Sequence, residues 1–151
     1  MISKISIIGA GNVGATCAQR LAEKGYADIV LVDIIEGLPQ GKALDMLESA
    51  PILNSDANIT GTNSYEETAN SDIVVITSGV PRKPGMSRED LVLTNMKIIS
   101  EVSTKVAQYS PDCIIIMVTN PLDAMVQLAL HDTKFPRTRL LGQSGILDTT
   151  R

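Results

Sequence analysis

Cysteine and histidine are scarce in this sequence, and long apolar stretches are missing from it. The two cysteines, Cys17 and Cys113, lie far apart and form no CxxC pair, and the one histidine has no clustered partners. These counts exclude a zinc site and a disulfide scaffold. No run approaches the roughly 20 apolar residues of a membrane span, and the short apolar start is no signal peptide. We therefore expect a cytoplasmic protein without a metal or a membrane partner.

Positive charge is also in deficit. The chain has 13 Lys and Arg residues against 17 Asp and Glu residues, so its formal net charge is −4. Nucleic acid and anionic membranes are therefore excluded as main partners, although a local cluster of arginines can still bind a small anionic ligand. The 151 residues suit one compact domain whose core needs no disulfide or metal to hold it.

Short apolar runs alternate along the chain with longer amphipathic segments. The runs are mostly Ile and Val at successive positions, which is typical of strands covered on both faces. They lie at 5–8, 29–32, 73–76 and 114–118, with weaker ones near Ile59 and at 140–141. A short turn or helix is predicted near Tyr65. Two apolar helical stripes are formed by Val13, Cys17 and Leu21 and by Val92, Met96, Ile99, Val102 and Val106.

Local signals mark where two of the helices begin. Ser87 and Asp90 have the spacing of a capping box at the start of the longer helix. Pro121, directly after Asn120, suits the first turn of another helix that runs to about His131. The alternating order predicts an α/β protein with a doubly wound parallel six-stranded sheet, the Rossmann dinucleotide-binding fold. In that fold the loops after the first and fourth strands meet where ligands bind.

A glycine-rich motif directly follows the first predicted strand. It reads Gly9-Ala10-Gly11-Asn12-Val13-Gly14, and its three glycines permit a tight turn, close approach of a pyrophosphate and close helix packing. Asp33 follows Gly14 by 19 residues and ends the second strand. A carboxylate there can accept the ribose hydroxyls of NAD and would repel the 2′-phosphate of NADP. NAD is therefore the expected cofactor, and the alternative is a structural turn beside a solvated aspartate.

A loop rich in proline, glycine and positive charge leaves the fourth strand. Residues 77–88 read TSGVPRKPGMSR, with Arg82 and Arg88 six positions apart. Arginines at the switch point of the sheet could clamp carboxylates and polarise a carbonyl. The alternative is an ordinary solvated surface loop.

Four separated motifs together resemble the lactate/malate dehydrogenase family. The loop at 82–86, with Arg88 after it, resembles the active-site loop of the malate-specific branch, found in the lactate-dehydrogenase-like malate dehydrogenases of bacteria. The stretch VTNPLD at 118–123 is similar to the motif after the fifth strand, and LDTTR at 147–151 to the Leu-Asp-x-x-Arg motif. With the glycine motif and Asp33, the resemblance covers the whole chain. It implies an NAD-dependent dehydrogenase of malate and oxaloacetate.

The resemblance implies a substrate or catalytic role for five residues. Arg82 would pair with the distal carboxylate of malate or oxaloacetate, and Arg88 would polarise the C2 carbonyl. Asn120 would hydrogen-bond the substrate oxygen, while Arg151 would hold the C1 carboxylate. Asp148 would orient the catalytic histidine of the family.

Further cofactor contacts and an oligomeric state are also implied by the resemblance. Val118, Thr119 and Asn120 would border the nicotinamide, and Asn95 would lie near the cofactor. The helix that contains Gly41 contributes to a subunit interface in the family, which implies a homo-oligomer for the complete enzyme. Gly41 itself either lets that helix pack closely or has no such role.

The catalytic histidine of the family follows the Leu-Asp-x-x-Arg motif, in the second half of a chain about twice this long. The one histidine here, His131, precedes that motif and is expected to lie on the surface near a helix end. We therefore expect residues 1–151 to be the NAD-binding half of the enzyme, in truncated or fragmentary form and without the C-terminal catalytic domain. Such a chain would lack its proton acceptor and be inactive alone.

The residues of this chain disfavour or exclude three alternatives to a malate dehydrogenase half. A stand-alone, non-catalytic NAD-binding module is disfavoured because it would need no separated arginines around the nicotinamide. Lactate dehydrogenase is disfavoured by Arg82. A short-chain dehydrogenase is excluded because none of the three tyrosines, Tyr26, Tyr65 and Tyr109, is followed four residues later by a lysine.

Overall fold

The computed structural model describes residues 3–150, apart from the side chain of Leu147. Strands and helices alternate along this part of the chain. The strands are β1 (Ser3–Ile8), β2 (Ala27–Val32), β3 (Ile59–Thr62), β4 (Ile73–Ile76), β5 (Ile114–Met117) and β6 (Leu140–Gly142). The α-helices are α1 (Asn12–Ala22), α2 (Leu38–Leu53), α3 (Arg88–Tyr109), α4 (Leu122–Thr133) and α5 (Gly145–Thr150). Single 3-10 turns lie at Glu66–Thr68 and Arg137–Arg139.

The strands form one parallel sheet in the order β3-β2-β1-β4-β5-β6. The first strand lies near the centre, where Ile5 pairs with Ile29 of β2 on one side and with Ile73 of β4 on the other. The chain thus winds outward from β1 in one direction and then, from β4, in the other. This arrangement confirms the predicted doubly wound sheet and brings the loops after β1 and β4 side by side at its carboxyl edge.

The core consists of two layers, one on each face of the sheet. Alternate strand residues point to opposite faces, so that Ile7 and Leu31 are buried in one layer and Val74 and Ile76 in the other. Helices α1 and α2 cover the first layer, while α3 and α4 cover the second. Burial on both faces explains why the strands are apolar at consecutive positions.

The apolar stripe predicted for α1 is wrong in its phase. The structure buries Gly14, Ala18 and Ala22 against the sheet, whereas Val13 is 61% exposed. There is little room at the start of this contact, because a Cβ on Gly14 would collide with the Gly9 carbonyl oxygen. Cys17 and Leu21 lie at the flank of this contact, where they are half-buried.

The stripe predicted for α3 is confirmed at three of its positions and wrong at one. Ile99, Val102 and Val106 are buried in the core, and Val92 packs partly against it. Met96, however, is 36% exposed and lines an open groove between α3 and α4. The core-facing position beside it is taken by the polar side chain of Asn95, which is 1% exposed.

The predicted helix starts are close to those observed. The capping box at the start of α3 is present, with Ser87 as the residue just before the helix. Pro121 precedes the first residue of α4 rather than lying in its first turn, and the peptide bond between Asn120 and Pro121 is cis. The short helix α5 has no counterpart among the predicted elements.

Both cysteines are free thiols, as their separation in the sequence predicts. Burial raises the pKa of the Cys113 thiol to about 11. No helix within residues 3–150 combines the length and the apolar character needed to cross a bilayer. In the same described part of the chain, no group of three or more His, Cys, Asp or Glu side chains is placed to hold a metal ion.

Candidate cofactor and substrate site

The turn between β1 and α1 is closely packed at its first and last glycines. Gly9 has a φ of 108°, and a Cβ there would lie 2.7 Å from Thr77 Oγ1 and 2.8 Å from the amide nitrogen of Ser78. A Cβ on Gly14 would collide with the carbonyl oxygen of Gly9. These two glycines are therefore required by the packing of the chain itself, since any other residue would displace the backbone.

Gly11 differs from the other two glycines because its surroundings are open. A Cβ built on it meets nothing within 4 Å. Gly11 is also the residue that precedes α1, whose first turn contains no acidic side chain, and Asn12 and Val13 beside it are exposed. The first N–H groups of a helix lack partners within it and carry partial positive charge. The turn thus offers both room and donors, and it fits a pyrophosphate.

Asp33 lies next to this turn, directly after β2, and is half-exposed. Its Oδ2 accepts a hydrogen bond from the Ala10 N–H at 2.7 Å, and its Oδ1 accepts one from the Ile35 N–H at 3.0 Å. A carboxylate has about four acceptor sites, so capacity for ribose hydroxyls remains. Sequence reasoning missed the bond to Ala10, by which Asp33 also holds the glycine-rich turn.

Asn63 and Gln40 are two further residues of this region that no motif indicated. The Asn63 amide donates to the carbonyl oxygens of Asp33 at 2.7 Å and Ile35 at 3.1 Å. Gln40 in turn donates to Asn63 Oδ1 at 2.6 Å. These bonds fix the backbone on which the Asp33 carboxylate is carried, and the residues are separated by many positions in the sequence.

The loops after β4 and β5 are tied together by side chains. Thr119 Oγ1 donates to the carbonyl oxygen of Ser78 at 2.6 Å. The Asn95 amide accepts from the Val80 N–H at 2.9 Å and donates to the Asn120 carbonyl oxygen at 2.7 Å. Asn95 is buried and its amide is taken up by the backbone. Asn95 therefore holds the two loops together from behind, and its expected position near the cofactor stays a prediction.

The other residues after β5 lie at the surface of the site. Val118 is half-buried and its N–H donates to the Ile76 carbonyl oxygen at 2.9 Å, which extends the contact between β4 and β5. Asn120 is exposed at the same edge. The structure thus brings the segment 118–120 beside the loop that carries the two arginines.

The arginine-bearing loop is turned back on itself before α3 begins. Arg82 Nε donates to the Met86 carbonyl oxygen at 3.0 Å, and both Arg82 and Arg88 are exposed. Arg88 is the first residue of α3 and directly follows the capping residue Ser87. Hydrogen bonds from Ser87 lower the pKa of the Asp90 carboxyl and keep it ionised at the helix start.

Asp148 and the single histidine lie in different surroundings. Asp148, in α5, accepts a hydrogen bond from Ser144 Oγ at 2.9 Å, and Arg151 lies outside the described residues. His131 is in the last turn of α4, its side chain is 77% exposed, and its Nδ1 is 2.9 Å from Asp132 Oδ1. Since α4 starts after β5 and is about 18 Å long at 1.5 Å per residue, His131 lies toward the amino edge. The predicted surface position of His131 is confirmed.

Comparison with known proteins gives consistent relatives in sequence and in structure. Residues 3–142 match the family described as lactate/malate dehydrogenase, NAD binding domain. Malate dehydrogenase of Thermomicrobium roseum is 60% identical over 151 residues, which are 100% of this chain and 49% of that protein. The crystal structure of Cryptosporidium parvum malate dehydrogenase has a TM-score of 0.93 at 49% identity, over 98% of this chain and 47% of that one.

A lactate dehydrogenase is among the similar structures as well. That of Cryptosporidium parvum, complexed with lactic acid and nicotinamide adenine dinucleotide, has a TM-score of 0.93 at 38% identity, over 98% of this chain and 47% of that one. The chain spans about half the length of the curated relatives it matches. The match over residues 3–142 includes the glycine-rich turn, Asp33 and both loops of the site. This chain belongs to the lactate/malate dehydrogenase family, and it contains the NAD-binding domain of that family.

Proposed function

We propose that this chain is the NAD-binding half of an NAD-dependent malate dehydrogenase, which interconverts malate and oxaloacetate. One observation carries the proposal: buried Asn95 joins the arginine-bearing loop at Val80 to the Asn120 backbone, next to the glycine-rich turn. Residues for a dinucleotide and for a small anion are therefore neighbours. The malate dehydrogenase relatives at 60% identity support the same substrate class.

The dinucleotide would lie along the carboxyl edge of the sheet. Gly11 and the start of α1 would hold the pyrophosphate, and Asp33 would accept the ribose hydroxyls. The backbone at 118–120 would border the nicotinamide. When bound, NAD supplies the chemistry of the reaction by taking up the hydride that leaves C2 of malate.

The exposed side chains of the site would bind the dicarboxylate. Arg82 would pair with the distal carboxylate, and Arg88 would polarise the C2 carbonyl. A cation in the first turn of a helix opposes the helix dipole, so Arg88 at the start of α3 is better explained by a ligand than by helix stability. Asn120 would donate to the substrate oxygen, and Arg151 would hold the C1 carboxylate.

The reaction also needs a group that takes up the hydroxyl proton of malate. Asp148 would orient that group, a histidine expected in the second half of the enzyme. His131 cannot replace it because it lies near the opposite edge of the sheet and is paired with Asp132. We therefore propose that residues 1–151 bind NAD but do not turn over substrate alone.

The first test separates cofactor binding from turnover. NADH titrations followed by fluorescence should show saturable binding that is tighter than the binding of NADPH, because Asp33 would repel the 2′-phosphate. NADH oxidation with oxaloacetate, or with pyruvate as the comparison, should stay at the rate of a protein-free blank. Turnover by the 151-residue chain would contradict the claim that these residues contain no proton acceptor. Failure to bind NADH would contradict the proposed function as a whole.

Substrate choice is tested at Arg82 in the full-length enzyme that carries this sequence. Arg82→Gln should lower the ratio of kcat/KM for oxaloacetate to that for pyruvate by about 10²-fold or more, because the charged contact with the distal carboxylate is lost. Lys83→Gln is the matched control, since it removes the same charge from the next position of the same loop. An unchanged ratio in Arg82→Gln would show that another residue recognises the dicarboxylate.

We further propose a homo-oligomer in the cytoplasm. The outer side of α2 exposes large apolar side chains, which a second copy of the chain could cover. They are Leu44 (57% exposed) and Ile52 (84% exposed). Free thiols at Cys17 and Cys113 suit a reducing compartment. Sedimentation of the full-length enzyme should show a Leu44→Glu variant with a smaller mass than the wild type, and equal masses would contradict the α2 interface.

A further inference from the structure

Lys42 on α2 reaches across to the glycine-rich turn. Its Nζ donates to the carbonyl oxygen of Ala10 at 2.6 Å, a contact between residues 32 positions apart. Lys42 is half-buried, and Ala10 is fully buried between β1 and α1. Lys42 lies outside the glycine-rich motif and outside the other motifs that carry the family resemblance.

The backbone of Ala10 is held on both sides by charged groups. Its N–H donates to the Asp33 carboxylate at 2.7 Å, and its C=O accepts from the Lys42 ammonium. Hydrogen bonds with an ionised partner are about twice as strong as those between neutral groups. The two side chains come from different elements, the end of β2 and helix α2, so they fix the turn against the rest of the domain.

The carbonyl that Lys42 binds belongs to the same peptide unit as the Gly11 N–H. In a trans peptide the C=O and the N–H point in opposite directions, so fixing one fixes the other. Glycine tolerates both signs of φ, and the unit before Gly11 could otherwise rotate at little cost. We propose that Lys42 is a positioning residue for the phosphate-binding turn, which holds the Gly11 N–H in the orientation that receives the pyrophosphate.

The charge of Lys42 is the lesser part of this role. The ammonium lines an open groove between α1 and α2, beside Asn12 at the start of α1. Asp45, one helical turn further along α2, lines the same groove and offsets part of the positive potential. Orientation of the peptide unit is therefore the main effect expected. The inference rests on the cofactor-binding part of the proposed function and does not depend on which 2-hydroxy acid is the substrate.

The test compares ligands with and without phosphates on the 151-residue chain. Calorimetry with ADP-ribose, which contains the pyrophosphate, should show about tenfold weaker binding to Lys42→Met than to the wild type. Binding of adenosine, which contains no phosphate, should change less than about twofold. Lys42→Arg should recover most of the ADP-ribose affinity because its guanidinium can still donate to the Ala10 carbonyl.

A matched control and a measurement without ligand complete the test. Lys24→Met removes the same charge at the far end of α1 and should leave both affinities unchanged. In ¹⁵N-resolved spectra of the free chain, the Gly11 amide should shift and exchange faster with solvent in Lys42→Met, but not in Lys42→Arg. This readout remains informative if the wild type fails to bind NADH, which would refute the proposed function instead.

Two results would overturn the role of Lys42. If Lys42→Met lost ADP-ribose and adenosine binding equally, the lysine would stabilise the fold in general and would not act on the pyrophosphate. A Gly11 amide that is unchanged in shift and exchange would show that Lys42 does not orient this peptide unit.

Discussion

At the scale of single residues, the structure gives the three glycines of the motif the different surroundings that their predicted roles require. Gly9 and Gly14 are required by backbone packing, whereas Gly11 faces open space. The motif could be found from sequence because spacing along one turn is a local property. Lys42 and Asn63 could not be, since their contacts with the turn and with the Asp33 backbone join residues 32 and 30 positions apart.

Gly11→Ser should therefore affect cofactor binding and not stability, whereas Gly14→Ala should affect stability. Gly11→Ser adds a good helix-capping side chain where nothing is displaced, so the free energy of unfolding should stay within about 0.5 kcal/mol of the wild type. Its hydroxymethyl group fills the space over the turn, so NADH affinity should fall at least tenfold. Gly14→Ala should lower the free energy of unfolding by about 2 kcal/mol or more, because its Cβ meets the Gly9 carbonyl. Urea unfolding and NADH titration check both, and stable Gly14→Ala would contradict the packing argument.

At the scale of elements, periodicity predicts which segments are helices better than which side they bury. The stripe of α1 was one position out of phase, because packing distance favours small residues and hydrophobicity does not report distance. Gly41 shows the same limit. A Cβ on Gly41 meets nothing within 4 Å, while close packing against the start of α2 occurs at Gly61 of β3, where a Cβ would collide with the Pro39 backbone.

These two glycines give a matched pair of substitutions. Gly41→Ala lies within a helix with free space around it, so it should raise the free energy of unfolding by about 0.5–1 kcal/mol. Gly61→Ala should lower it by about 2 kcal/mol or more, since either β3 or α2 must move. Urea denaturation of both variants measures the difference. A destabilised Gly41→Ala would revive the interpretation that this glycine is needed for close packing.

The start of α3 should respond to pH through its capping box. Ser87→Ala removes the N-cap side chain and should cost about 1 kcal/mol of stability at pH 7. The same change returns the pKa of Asp90 toward its ordinary value of 3.8. Because the Asp90 pKa is lower in the folded chain than in the unfolded chain, the ionised carboxylate stabilises the fold at pH values above 3.8. This stabilisation is lost as the pH falls through the pKa of the folded chain. Thermal melts should therefore show the difference between wild type and Ser87→Ala shrinking below pH 3.8.

The control for this pH effect lies on the same helix. Thr104 Oγ1 donates to the Ser100 carbonyl oxygen, and this bond does not involve a carboxylate. Thr104→Ala should therefore shift the melting temperature by an amount that does not depend on pH. If the difference in melting temperature between the wild type and Ser87→Ala were also independent of pH, the Asp90 carboxylate would not contribute to it.

At the scale of the whole molecule, the sheet topology followed from the order of apolar runs and amphipathic segments. Parallel strands need crossover connections of one hand, so few arrangements remain once the order is known. The site was predictable only in part. Arg82 and Arg88 stand out in the sequence as charges in the loop after the fourth strand, and the resemblance implies their separate roles. The structure brings their loop to Asn120 through Asn95. Local sequence signals did not indicate the partners of the Asn95 amide, because these partners are backbone groups at Val80 and Asn120, in two other loops.

Cofactor binding should stabilise the whole domain, since the turn, Asp33 and both loops contact different strands. A ligand at 100 times its Kd raises the free energy of unfolding by about 2.7 kcal/mol when it binds only the folded state. The melting temperature should therefore rise by several degrees with NADH, and less with the same concentration of NADPH. Gly11→Ser should not show this rise with NADH, although its melting temperature without ligand should equal that of the wild type. An equal rise with NADH and NADPH would contradict the role of Asp33.

The pairing of β1 with β4 has a consequence for how the domain is made. Ile5 and Ile73 are neighbours in the sheet although 68 residues separate them, and Thr77 and Ser78 enclose Gly9 from that same side. Long-range strand pairing is slow relative to helix formation. During synthesis the glycine-rich turn leaves the ribosome before its enclosing wall, because Thr77 is made 68 residues after Gly9. The glycine-rich turn is thus translated before the residues that enclose it, and until they are made the nascent chain has the motif without its folded surroundings.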